Sequence, residues 1–128
     1  MASTLKINTL TGVTTAGSIA VTGEGNSTTT NLQQGLAKVW LSATSTTANE
    51  DSFNRSSGTD NGTGDYTYTF TNSMGNDDYA CSGLVIDSAP RIGNISAIAT
   101  GSYTVQYHNE SGESRDSDAG VIIHGDLA

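Results

Sequence analysis

The sequence predicts an all-β domain over residues 36–128, an antiparallel β-sandwich or jelly-roll-like fold, and three observations carry that expectation. Apolar residues recur at every second position in several short runs. Clusters of turn formers separate those runs, and no helical period of any length interrupts them. An extended N-terminal arm of different composition, residues 1–35, precedes the domain.

Strand-like runs fall at 37–43, 52–59, 65–71, 79–86, 94–100, 102–108 and 119–124. In the first, Val39 and Leu41 point one way, while Lys38, Trp40 and Ser42 point the other. Trp40 therefore faces away from the aliphatic pair, as cover for the core edge, as a subunit contact, or as a platform on which a sugar ring stacks. The run "DYTYTF" sets Tyr66, Tyr68 and Phe70 on one face, and "SYTVQYH" does the same with Tyr103, Val105 and Tyr107. Those side chains are the expected core. Between the runs lie "NGTG", "NSMGNDD", "DSAPRIGN" and "NESGESRDSD", and Asn61-Gly62, a dipeptide that tolerates positive φ, is read as a hairpin tip.

The arm is rich in Thr, Ser, Gly and Asn and has no aromatic residue. Leu5 and Ile7 alternate with Lys6 and Asn8, Leu10 follows, and Ile19 and Val21 alternate with Ala20 and Thr22. Thr30 or Asn31 can cap a short helix carrying Leu32 and Leu36, with Gly35 interrupting it. Such a segment cannot fold alone. It is either a low-complexity tail or an extended assembly arm that shelters its aliphatic residues against a neighbouring subunit, and the second reading is preferred.

A formal net charge of −8, from 5 basic and 13 acidic residues, repels phosphate backbones and anionic lipid, so neither nucleic acid nor a membrane surface is an expected partner. Only 14% of residues are charged, and the surface is correspondingly polar through Ser, Thr, Asn and Gly. No run approaches the length of a membrane span, and a soluble product made in a cytoplasm is expected. With one cysteine, Cys81, no intrachain disulfide forms, and its apolar surroundings suit a structural thiol better than a nucleophile.

The stretch "GTDNGTGDYTYTF", with its aspartates and glycines, is a candidate site for metal or phosphate. It lacks the closing Glu of a calcium loop, and neither the helix nor the Lys of a phosphate-cradling loop follows. Asp77-Asp78 and the run Glu110, Glu113, Asp116 and Asp118 are read as solvated turns, at most adventitious for calcium. His108 and His124 are read as strand-end residues, and no serine sits in a nucleophile elbow. No enzyme activity, metal or cofactor is expected.

The segments "TLKINTLTG", "TTTNLQQGLAKVW", "DSFNRSSGTDNGTGDYTYTFTNSM" and "DDYACSG" resemble small tail-fibre-like virion structural proteins of marine bacteriophages, over about residues 3–83. The later "GSYTVQYHNESGESRDSD" and "GVIIHG" share only the rhythm of that group, and Arg55 and Gly58 stand where it tends to carry apolar residues. The resemblance implies a structural component of a virion, assembled in the host cytoplasm as a homotrimer. It attaches by its N-terminal region to other proteins of the tail or the capsid and displays its β-domain outward. A trimer also lets three arms pool their aliphatic faces around one axis. The assembly residues expected on this basis are Leu5, Ile7, Leu10, Ile19, Val21, Leu32 and Leu36, with Trp40 as a contact for a host-surface glycan or a subunit.

Overall fold

The computed structural model describes residues 4–12, 19–23 and 28–126; the parts of the expected arm at 1–3, 13–18 and 24–27 lie outside the described residues. The chain divides into two units, Met1–Leu36 and Ala37–Ala128.

In the first unit, β1 (Ala20–Thr22) pairs antiparallel with β2 (Thr29–Asn31), and one helical turn, α1 (Leu32–Gly35), follows directly. The Leu32 amide donates to the Ile19 carbonyl at 2.8 Å, closing the strand pair onto the helical turn. Residues 4–12 take no helix or strand, and their side chains are exposed.

Among its described residues the second unit holds eight strands: β3 (Val39–Ala43), β4 (Asn49–Phe53), β5 (Arg55–Gly62), β6 (Asp65–Phe70), β7 (Ala80–Ile86), β8 (Ile92–Ala99), β9 (Ser102–His108) and β10 (Asp118–His124). They form two antiparallel sheets, β4-β3-β10-β7 and β5-β6-β9-β8. Their inner faces share one buried cluster in which Val39, Leu41, Ala119, Val121 and Ile123 of the first sheet meet Tyr66, Tyr68, Phe70, Tyr103, Val105 and Tyr107 of the second. The result is the sandwich limb of the expected architecture. Consecutive strands pair as hairpins at β3–β4, β5–β6 and β8–β9, while the last strand returns to lie between β3 and β7.

Aromatic rings dominate the inner layer because alternate positions of β6 and β9 register against each other. Tyr68 is paired with Tyr103, with ring centroids 5.5 Å apart, and the rings of Tyr66 and Tyr107 are 5.9 Å apart. Tyr79 extends the layer by meeting Phe70 edge-on at 5.9 Å, and its hydroxyl lies 2.7 Å from the Ser102 carbonyl. Tilted and edge-on contacts at such distances suit the ring quadrupoles.

Three local expectations need correction. The run 52–59 is two strands in different sheets, broken at Asn54, whose φ of 60° turns the chain from one layer to the other. Asn tolerates this left-handed conformation, and its side chain replaces the interrupted ladder. The Asn54 amide nitrogen donates to the carbonyls of Lys38 and Asn72 at 3.1 and 3.0 Å, and Oδ1 accepts the Asn72 amide at 2.7 Å.

The second correction concerns the β5–β6 hairpin, whose tip is Thr63-Gly64 rather than Asn61-Gly62. Asn61 stays within β5 because Nδ2 donates across the ladder to Asp65 Oδ1 and Thr67 Oγ1 at 3.0 and 2.9 Å. Gly64 takes φ 69°, and a Cβ there would stand 2.6 Å from the Tyr107 carbonyl, so both backbone shape and space demand glycine.

Third, Lys38 does not share the outer face with Trp40: it is buried, at 4% exposure. Strand alternation begins only at Val39, and Lys38 sits in the preceding bend, where its amide donates to the Ile123 carbonyl at 2.8 Å.

Arg55 and Gly58 together finish the inner layer on the β5 side. The Arg55 guanidinium lies over the Tyr68 ring at 5.2 Å and donates to the Thr47 carbonyl. A Cβ at position 58 would fall 2.5 Å from that guanidinium, so Gly58 makes the room that the cation occupies.

Candidate binding surface

Side chains of opposite parity to the core cover the outer face of the sheet β4-β3-β10-β7, and several are large and apolar. Trp40 is paired directly with Phe53 on β4 and with Ile122 on β10. Trp40 is 37% exposed, Phe53 and Ile122 about half, and Leu84 on β7 83%. Ile86 continues the patch along β7, paired with Asp118.

A hollow of about 580 Å³ opens in this face. Its floor is Gly120, the outward residue of β10 that carries no side chain between its partners Ser42 and Leu84. Trp40 and Ile122 stand on one side, and the Ile86 Cδ1 methyl comes within 4.0 Å of where a Gly120 Cβ would lie. The polar groups nearby are hydroxyls and carboxylates: Ser42 Oγ donates to Glu50 Oε2 at 2.6 Å, and Asp51 is the cross-strand partner of Ser42. An indole beside a shallow glycine floor, with the hydroxyl-bearing Ser42 and Ser82 among the lining residues, suits a flat ring with polar edges.

Asp60, Asp65, Glu113, Asp116 and Asp118, candidate ligands in the sequence, are used within the fold. Asp60 Oδ1 accepts the Gly62 amide at 2.9 Å, and Asp65 accepts Gln106 Nε2 at 2.8 Å. Those amide donors, Gln106 first and then Asn61, hold the Asp65 carboxyl below the usual carboxylate range. Asp116 Oδ1 accepts from the Gly64 amide at 2.7 Å and lies 2.8 Å from the Tyr66 hydroxyl, tying the hairpin tip to the loop before β10. Asp118 Oδ1 accepts the Ser45 amide at 2.7 Å. Among the described residues no three His, Cys, Asp or Glu side chains come together as a cation site. Cys81 is half-buried beside the core, which pushes its thiol pKa up. His108 and His124 are the last residues of β9 and β10.

Of the expected assembly residues, Leu5, Ile7, Leu10, Val21 and Leu36 are exposed, whereas Ile19 and Leu32 are partly buried and joined through their backbones. The sequence reading found Trp40 but missed Phe53, Leu84, Ile86 and Ile122 beside it. A signal for three of these existed: "GLVI" and "GVII" are apolar at both parities, which marks strands with two apolar faces rather than one. Phe53 had none, because the strand break at Asn54 reassigns its face.

No protein family, curated protein or solved structure matches this chain.

Proposed function

We propose that this chain is a structural component of a bacteriophage virion, a tail-fibre or spike subunit. It assembles as a homotrimer through its N-terminal arm, joins other virion proteins, and presents the β-domain outward to a host-surface glycan. The observation that carries this reading is an arm whose Leu5, Ile7 and Leu10 lie exposed on a segment with no strand or core of its own. Aliphatic residues in that position gain stability only against another surface. The resemblance of the sequence motifs to tail-fibre-like proteins supports sister copies and a virion partner as that surface, and the same assembly on a capsid would make the chain a head-fibre decoration. On this reading the protein is not an enzyme and acts in the virion after assembly in the host cytoplasm.

A stand-alone carbohydrate-binding module is the second reading, favoured by the exposed Trp40 beside the Gly120 floor. One experiment addresses both. Antibody raised against the β-domain is used to gold-label phage particles carrying either the full chain or a chain lacking residues 1–34, and the purified protein is titrated with host polysaccharide. Labelling of full-chain particles that disappears with the deletion supports the virion role, and particles without label overturn it. Polysaccharide binding lost in Trp40→Ala supports glycan reading by the outer face; unchanged binding places the sugar site elsewhere.

A further inference from the structure

The two sheets do not close against each other on every side. β7 and β8 are the outer strands of their respective sheets, and both lack a partner on that edge among the described residues. Between them lies a cleft of about 260 Å³ that reaches Val105, Tyr107 and Val121 of the core. Its walls are thin because two inward positions are glycine. A Cβ on Gly83 would stand 3.0 Å from Val121 Cγ2, and one on Gly93 would stand 2.9 Å from Tyr107 Cε1, so neither position can hold a side chain that plugs the opening. Ile95 and Ile98 point inward, paired with Val105 and Tyr103, yet each stays more than a third exposed. All eight residues of β8 are exposed.

The slot's lining mixes apolar Cys81, Val85 and Ile95 with Ser82, Asn94 and Arg91, whose charge is met by Asp87 at 3.1 Å, and with unpaired strand edges on its borders it has the shape of a missing strand. An added segment would gain ladder hydrogen bonds from its backbone and bury every second side chain in the slot. The segment 4–10, "TLKINTL", has that pattern at Leu5 and Ile7, which are 79% and 50% exposed, with Leu10 on the opposite parity. Its backbone is not committed to any strand.

Charge selects it further. Lys6 and Glu24 are the only charged residues among 1–36, so the formal net charge of −8 belongs to residues 37–128. Two β-domains meeting face to face would bring like charge together. The segment 4–12 carries one lysine and no acid, so it approaches a β-domain with favourable sign.

We infer that the cleft between β7 and β8 receives residues 4–10 of a second copy of this chain, with Leu5 and Ile7 inserted toward Ile95 and Cys81. This deepens the assembly reading above, on which it rests, by naming the surface that the arm engages.

The test uses the full chain and its single cysteine, Cys81, which lines the cleft. Purified Ile7→Cys protein is oxidised with copper phenanthroline and run on a non-reducing gel; Thr59→Cys, on the edge strand β5 of the opposite side, is the control. The expected result is covalent dimers and larger species linking Cys81 to the cysteine introduced at position 7, well above the control. Ile95→Asp, with tyrosine near-ultraviolet circular dichroism to confirm folding, is expected to reduce the sedimenting mass to the 13.2 kDa of one chain. Wild-type protein sedimenting as a single chain overturns the inference. So does a disulfide that forms within one chain, or a yield no greater than the control. If Ile95→Asp unfolds, the crosslink decides alone. Gold-labelled particles without the crosslink overturn this inference and leave the virion role standing; the crosslink without labelled particles does the reverse.

Discussion

Tyr66 and Tyr103 lie on neighbouring strands of one sheet, both fully buried, yet their hydroxyls meet opposite circumstances. The Tyr66 hydroxyl reaches the Ser45 carbonyl at 2.9 Å and Asp116 Oδ1 at 2.8 Å, whereas the Tyr103 hydroxyl is buried with no hydrogen-bond partner. An unsatisfied buried polar group costs about 1–3 kcal/mol, while a made hydrogen bond contributes about 1 kcal/mol net. Tyr103→Phe is therefore expected to raise stability by about 1 kcal/mol and Tyr66→Phe to lower it by about 1–2 kcal/mol. Urea unfolding measures both, through a shift of the midpoint at unchanged slope. A loss of stability in Tyr103→Phe would refute the assignment of an orphaned hydroxyl.

Among the elements, the joint between β4 and β5 has the most consequence for the fold. Asn54 supplies a left-handed backbone and several hydrogen bonds that hold Lys38 and Asn72 from two directions, so one residue sets which strand belongs to which sheet. Asn54→Ala removes both contributions and is expected to cost about 2–4 kcal/mol, from backbone strain plus stranded carbonyls. Asn54→Gly restores the backbone alone and should recover roughly 1 kcal/mol of that. Equal losses in the two variants, read from denaturation midpoints, would mean that the left-handed conformation carries no strain. None of this was legible in "SFNRSSG", because polar side chains give no period from which to read a change of layer. The adjacent "DYTYTF" was legible to the residue, since large apolar groups at every second position admit only one inward face.

For the molecule as a whole, the aromatic core makes a prediction about alkaline pH. Burial raises the pKa of Tyr66, Tyr68, Tyr103 and Tyr107 above the ordinary value of 10.0, and Tyr79 is pushed up to about 12. These account for all 5 tyrosines of the chain. A group with a raised pKa in the folded state binds its proton more tightly there than in the unfolded chain. The stability it contributes is fully present below about pH 10 and is lost as pH rises through the folded values. Tyrosinate absorbance should accordingly stay silent through pH 10 and then rise in one cooperative step with the loss of β-sheet circular dichroism. Independent titration near pH 10, with the sheet signal intact, would contradict a tyrosine core.

Side-chain alternation settled that the chain is β, that Tyr66, Tyr68, Phe70, Tyr103, Val105 and Tyr107 turn inward together, and that Trp40 turns away from Val39 and Leu41. Those are local properties: a strand has a period of two, and burial follows it wherever apolar and polar residues differ enough to show it. Pairing between distant strands settled the rest. It placed β10 between β3 and β7, brought Ile122 and Phe53 beside Trp40, and left β7 and β8 as open edges around a glycine-walled cleft. A periodic pattern says which face of a strand is greasy but carries no label for its neighbour, so a surface built from four strands exists only once the sheets have formed.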